Sequence, residues 1–150
     1  MADPSIKEVI NESMKSAMKA RDKDRLKTIR LALSEIKRVE VDTRKEQTDA
    51  QIITILDKMV KQRRESIKQF ELGGRHELAA QEKLEIEVLN EFLPQALSDE
   101  EISSIINSAI SESKAESIQD MGKVMGVIKP QVIGRADMSV ISKKIRSLLT

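Results

Sequence analysis

The chain has 150 residues, 39% of them hydrophobic and 34% charged, with a formal net charge of +1. This length supports one domain or two small ones around a buried core, and the near-neutral charge excludes a global field that would draw the chain onto nucleic acid or membrane. The absence of cysteine, tryptophan and tyrosine excludes disulfides, thiolate metal sites and cysteine nucleophiles, and it leaves a core of Leu, Ile, Val, Met and Ala around Phe70 and Phe92.

The N-terminus lacks an apolar leader, and no apolar run nears the roughly 20 residues that span a bilayer. The expectation is a cytoplasmic protein without a membrane partner. Asp3 and Pro4 predict the cap and first residue of a helix whose apolar face carries Ile6, Val9, Ile10, Met14, Ala17 and Met18, ending near Ala20. Arg21 to Asp24 reads as a turn. A second helix presents Leu26, Ile29, Leu33, Ile36 and Val39 and fades in the charged run from Asp42 to Glu46. Thr48 with Gln51 makes a capping box for a long third helix through Ile52, Ile55, Leu56, Met59, Ile67 and Phe70, which Gly73 and Gly74 end. A fourth carries Leu78, Ile86, Leu89 and Phe92 and stops near Leu93, because the residue before Pro94 is disfavoured in helical geometry.

Phe92-Leu93-Pro94 is therefore the predicted boundary. Ser98 with Glu101 forms another capping box, opening a fifth helix through Ile102, Ile105, Ile106, Ala109 and Ile110. Two more helices follow within Asp120–Leu149. No strand alternation, internal repeat or low-complexity tract is present. The predicted fold is all-α, an N-terminal four-helix region (1–93) followed by a smaller three-helix C-terminal domain (94–150).

Lys61, Arg64 and Lys68 share one face of the third helix, with Arg63 beside them. Such a stripe supplies the charge that contacts a nucleic-acid backbone; it equally suits a solvated face paired with Glu82, Glu85, Glu87 and Glu91 of the fourth helix. His76 is the single histidine, and no Glu-x-x-His spacing accompanies it, so no metal site is assigned. With no P-loop and no nucleophile elbow, no catalytic residue and no cofactor is assigned either.

The most specific stretch is Asp120–Leu149. Gly122, Gly126 and Pro130 are four apart, so a helix would stack them on one nearly bare face. Each glycine costs that helix about 1 kcal/mol, and Pro130 removes the bond its N–H would give to the Gly126 carbonyl. Gly134 then reads as a left-handed stop and Asp137 as the cap of a last helix, Met138–Leu149. From Met121 onward six basic residues face one acidic residue, while Pro94–Asp120 holds six acidic residues against Lys114. A bare face suits close packing of another helix, or close approach of an RNA backbone or a partner helix between Lys123, Lys129, Arg135, Lys143 and Lys144. Without Trp or Tyr, any RNA contact would be to phosphate and shape.

The string DMGKVMG (Asp120–Gly126), Pro130, GRAD (Gly134–Asp137) and the Ser-Lys-Lys helix after it resemble the C-terminal signature of the GatB/YqeY family. KQRRESIKQFELGGR (Lys61–Arg75) and VLNEFLPQALS (Val88–Ser98) agree with that resemblance; Met138 stands where relatives usually have glycine. The resemblance implies a free-standing YqeY-like protein, similar to the tail of the B subunit of tRNA-dependent amidotransferases. That tail helps hold tRNA, while the amidation chemistry resides in a separate domain. The implied function is a tRNA-binding accessory module without intrinsic activity, with Lys123, Lys129 and Arg135 as backbone contacts. Two alternatives stand beside it, a helical protein-interaction module and an amidotransferase-like carbon-nitrogen ligase using glutamine.

Overall fold

The computed structural model describes residues 3–150. The described residues form seven α-helices and one 3-10 turn, with no strand. In chain order these are α1 (Ile6–Ala20), α2 (Lys23–Thr43), α3 (Asp49–Leu72), α4 (His76–Asn90), α5 (Asp99–Ser113), the 3-10 turn Ile118–Asp120, α6 (Met121–Val132) and α7 (Met138–Leu149). Contacts group α1–α4 into one compact unit that ends at Pro94 and α5–α7 into a second, Gln95–Thr150.

Helix ends follow the local chemistry closely. Thr48 with Gln51 and Ser98 with Glu101 form the reciprocal capping boxes predicted for α3 and α5. Each satisfies two backbone donors that a helix start would otherwise leave open. At α1 the prediction of an Asp3–Pro4 start is corrected. Ser5 is the cap, accepting from the Glu8 N–H while the Glu8 carboxylate accepts from the Ser5 N–H; the Ser-x-x-Glu pair satisfies two donors where Asp3 would satisfy one. Arg21, Arg44 and Lys114 close α1, α2 and α5 in the left-handed region. After α3 the positive φ falls to Gly74, at 72°, a conformation that glycine adopts without a Cβ clash.

The first unit's core is aliphatic, with Ile10, Ile29, Ile36, Ile52, Leu56 and Leu89 fully buried. Two expectations for α4 fail. The helix ends at Asn90, and Phe92 is buried from a turn beyond it. Leu78 is 43% exposed. It shares the inward face with Leu89 but sits at the tip of the α3–α4 hairpin, where every residue from Glu71 to Leu78 is exposed.

Inside that hairpin Arg63 reaches Glu82 and Glu85 at 4.0 and 3.9 Å, and its Nη1 donates to the Met59 carbonyl. Its buried Nε has no hydrogen-bond partner. Burial raises the Glu82 carboxyl above its ordinary 4.5, and the neighbouring Glu85 carboxylate pushes it further, against the pull of Arg63. At the other end Lys7 holds Glu40, lowering that carboxyl's pKa with help from the Gln47 N–H, and Arg25 pairs with Glu91.

The second unit buries Ile106, Val124, Ile128, Val132, Ile141 and Ile145. Its entry segment is pinned to the α6–α7 turn: the Leu97 N–H donates to the Arg135 carbonyl at 2.9 Å, and Arg135 Nε donates to the Gln95 carbonyl at 3.1 Å.

Limited proteolysis is expected to cut between about Leu93 and Asp99 and to leave a helical C-terminal fragment; cleavage elsewhere with this segment spared would argue for one fused domain. A second expectation concerns Glu82. Because its folded carboxyl titrates above the ordinary value, the stability it contributes is complete below about pH 4.5 and is lost as pH rises through the folded value. Glu82→Gln removes that loss, so its melting temperature should exceed wild type at neutral pH and converge with it in acid, as thermal melts across pH would show.

Candidate functional site

Helix α6 forms despite two glycines and a proline because its opposite side is driven inward. Val124, Ile128 and Val132 are each 0% exposed. At about 1.5–3 kcal/mol per buried aliphatic side chain, they match or exceed roughly 2 kcal/mol for the glycines and about 3 for Pro130, and Met121, Met125 and Val127 of the same helix pack against that core as well. The spacing of four then does what the sequence predicted, stacking Gly122, Gly126 and Pro130 along one side.

That side faces outward. All three residues are exposed, and a methyl group at Gly122 or Gly126 would meet nothing within 4 Å. The close-packing reading of this face therefore finds no packed neighbour in the chain. Lys123 and Lys129 stand three residues before and three after Gly126, about 60° to either side of it around the helix. Lys123 is 72% exposed and lies 3.8 Å from Asp120. Asp120 is itself occupied: the Glu116 and Ser117 N–H groups donate to its carboxylate and hold its pKa below the ordinary range. Its hold on Lys123 is correspondingly loose. The surface is a strip of accessible backbone between two cations.

The other candidates lie outside α6. Gly134 takes φ 75° in the turn after α6, as expected of a left-handed stop. Arg135 in the same turn spends its Nε on the Gln95 carbonyl, a contact that fixes the loop. Asp137 caps α7 by accepting from the Ser139 N–H. Lys143 and Lys144 lie on α7 beside an open groove of about 420 Å³ between α5 and α7, lined also by Ser103, Asn107 and Ser147. Lys144 is 3.6 Å from Asp99. Since α6 turns its apolar side toward the core it shares with α5 and α7, a groove between those two helices opens on a different side from the bare face.

In the α3 stripe Lys61 pairs with Asp57 on its own helix at 3.2 Å, and Lys68 is exposed. The predicted pairing with α4 is made by the flanking Arg63. Among the described residues no group of His, Cys, Asp and Glu is arranged to hold a metal ion, and no helix is long and apolar enough to cross a membrane. One feature escaped the sequence reading. Lys23, Lys27, Arg30 and Lys37 form a row on α2, visible by the same 100° count that located its apolar face.

Fold and surface together define an all-helical protein whose most distinctive surface is a basic-edged strip of helix backbone. A family model described as Yqey-like protein matches residues 7–149, and the chain belongs to that family. An uncharacterized protein of Schizosaccharomyces pombe is 34% identical over 65% of this chain and 80% of its own length. Two proteins named altered inheritance of mitochondria protein 41, mitochondrial, are also similar. The one from Pyrenophora tritici-repentis is 28% identical over 93% of this chain and 78% of its length; the one from Clavispora lusitaniae is 37% identical over 79% and 69%.

The open face gives a direct stability test. Gly126→Ala gains helix propensity and meets no neighbour, so it should stabilise the protein by about 0.5–1 kcal/mol, read as a raised melting temperature. A lowered one would mean that the face is covered in solution.

Proposed function

We propose that the C-terminal unit is a tRNA-binding accessory module that lays the outer face of α6 against the RNA backbone. The observation that carries this reading is the exposed Gly122–Gly126–Pro130 strip between Lys123 and Lys129. Without side chains in the way, a phosphodiester backbone can approach the helix closely while each lysine neutralises a phosphate. The family resemblance to the amidotransferase B-subunit tail supports the choice of tRNA by analogy. Arg135 shapes the adjoining turn, with Lys143 and Lys144 on a separate side of the unit. The role is one of holding RNA, with any amidation chemistry belonging to another protein. The cytoplasm expected from the sequence and the mitochondrion in the relatives' names both contain tRNA, so the proposal suits either compartment.

Electrophoretic or anisotropy titrations with tRNA at several salt concentrations test it. Lys123→Ala and Lys129→Ala should each weaken binding and reduce the salt slope by roughly 0.7 to 0.9, the signature of one lost phosphate contact. Gly126→Leu should weaken binding at every salt concentration with the slope nearly intact and the melting temperature not lowered. Unchanged affinity in all three variants would remove tRNA from this face.

A further inference from the structure

The row on α2 is built differently from the other charged faces. Lys23, Lys27, Arg30 and Lys37, with Ser34 among them, lie within an arc of about 80° and extend about 21 Å along the helix. All are exposed, on the side away from the buried Ile29, Ala32 and Ile36. Among the described residues none of the four cations forms an ion pair, although Lys37 weakly lowers the pKa of Glu40 through space. Of the carboxylates on α2, Asp24 lies beside Lys23 at the first turn and the other three are taken. Arg38 holds Glu35 and Asp42, and Lys7 holds Glu40.

The relief of this surface narrows what can cover it. One groove of about 340 Å³ is lined by Lys23, Leu26, Lys27, Arg30, Leu31 and Ser34. A second, of about 500 Å³, is lined by Leu33, Ser34, Lys37, Arg38, Val41 and Asp42. Each groove is the gap between two ridges of residues four apart. Lys23-Lys27-Leu31 and Leu26-Arg30-Ser34 bound the first; Ser34-Arg38-Asp42 and Leu33-Lys37-Val41 bound the second. The ridge through Ser34 is common to both. Gaps of this kind receive the side-chain ridges of another helix. Their walls include Leu31 and Val41, 39% and 63% exposed, which a phosphodiester strand would leave without an apolar partner.

We infer that the outer face of α2 docks an acidic amphipathic helix of a partner protein. Carboxylates at three- and four-residue spacing meet Lys23, Lys27, Arg30 and Lys37, and aliphatic residues between them seat against Leu31 and Val41. The surface belongs to the first unit and the bare face of α6 to the second, and the inference does not rest on tRNA binding at α6. The charges supply steering and register, and the apolar seats supply specificity for a helix over other polyanions.

The probe is a designed peptide as long as α2, with glutamates along one face and an Ala/Leu seam beside them, titrated by anisotropy against the full chain near physiological salt. A scrambled peptide of the same composition and a poly-uridylate RNA serve as controls. The helical peptide should bind saturably and the scrambled one roughly tenfold more weakly or worse; Lys27→Glu with Arg30→Glu should cost about tenfold or more. A charge-swapped peptide bearing lysines should bind that double variant in its place. Leu31→Ser with Val41→Ser should weaken the helical peptide with an unchanged salt slope. All substituted residues are exposed, so circular dichroism should show unaltered folding. The inference is overturned if the scrambled peptide binds equally, if RNA binds the row while the Leu31 and Val41 changes have no effect, or if the helical peptide does not bind. Self-association lost in the double variant would also overturn it, since a second copy would then occupy the face.

Discussion

Three side chains hold a helix that its own backbone disfavours. Val124, Ile128 and Val132 are fully buried on one side of α6, and that burial lets Gly122, Gly126 and Pro130 remain helical on the other. The two sides are one design, because a four-residue repeat of buried aliphatics imposes a four-residue repeat on whatever stands opposite. The bare strip is stable only while α5 and α7 cover the apolar side. Its exposed backbone is thus a product of packing in the second unit, and any change that loosens Ile106, Ile141 or Ile145 would loosen the strip as well.

Electrostatics divides the cations into those that build the fold and those that face outward. Lys7, Arg25 and Arg63 join helices of the first unit through Glu40, Glu91 and the Glu82–Glu85 pair. Arg135 ties a loop through a carbonyl. Removing one of these leaves a partner unsatisfied, and the cost is greatest at Arg63, where a buried carboxylate would lose its counter-charge. Lys123 and Lys129 on α6 and the four cations on α2 carry no comparable burden. A protein with a net charge of only +1 can therefore present a basic-edged strip on α6 and a basic row on α2, since most of its acids are occupied or lie on other faces.

These surfaces ask for different partners because their relief differs. On α6 the cations flank bare backbone, a geometry that admits a flat or narrow polyanion to close range. On α2 they line gaps between side-chain ridges with Leu31 and Val41 in the walls, a geometry that matches another helix. Charge alone would not distinguish the two; the presence or absence of Cβ-bearing ridges does.

The helices were legible in the sequence because local chemistry sets them. Apolar repeats of three and four, the Thr48–Gln51 and Ser98–Glu101 boxes, the Gly74 and Gly134 turns and the Asp137 cap all depend on neighbours within a few residues. The exceptions show where that locality competes with itself or ends. Ser5 displaced Asp3 because a reciprocal box satisfies more donors, and Leu78 is exposed because the hairpin tip lacks cover. Exposure of the glycine strip was undecided by sequence, since a spacing of four describes a packed face and an open one equally. The separation of Lys143 and Lys144 from Lys123 and Lys129, the burial of Arg63 between two glutamates and the free outer face of α2 were likewise decided by tertiary structure. Each depends on which helices lie side by side, and helical periodicity fixes directions around one axis without fixing what stands across from it.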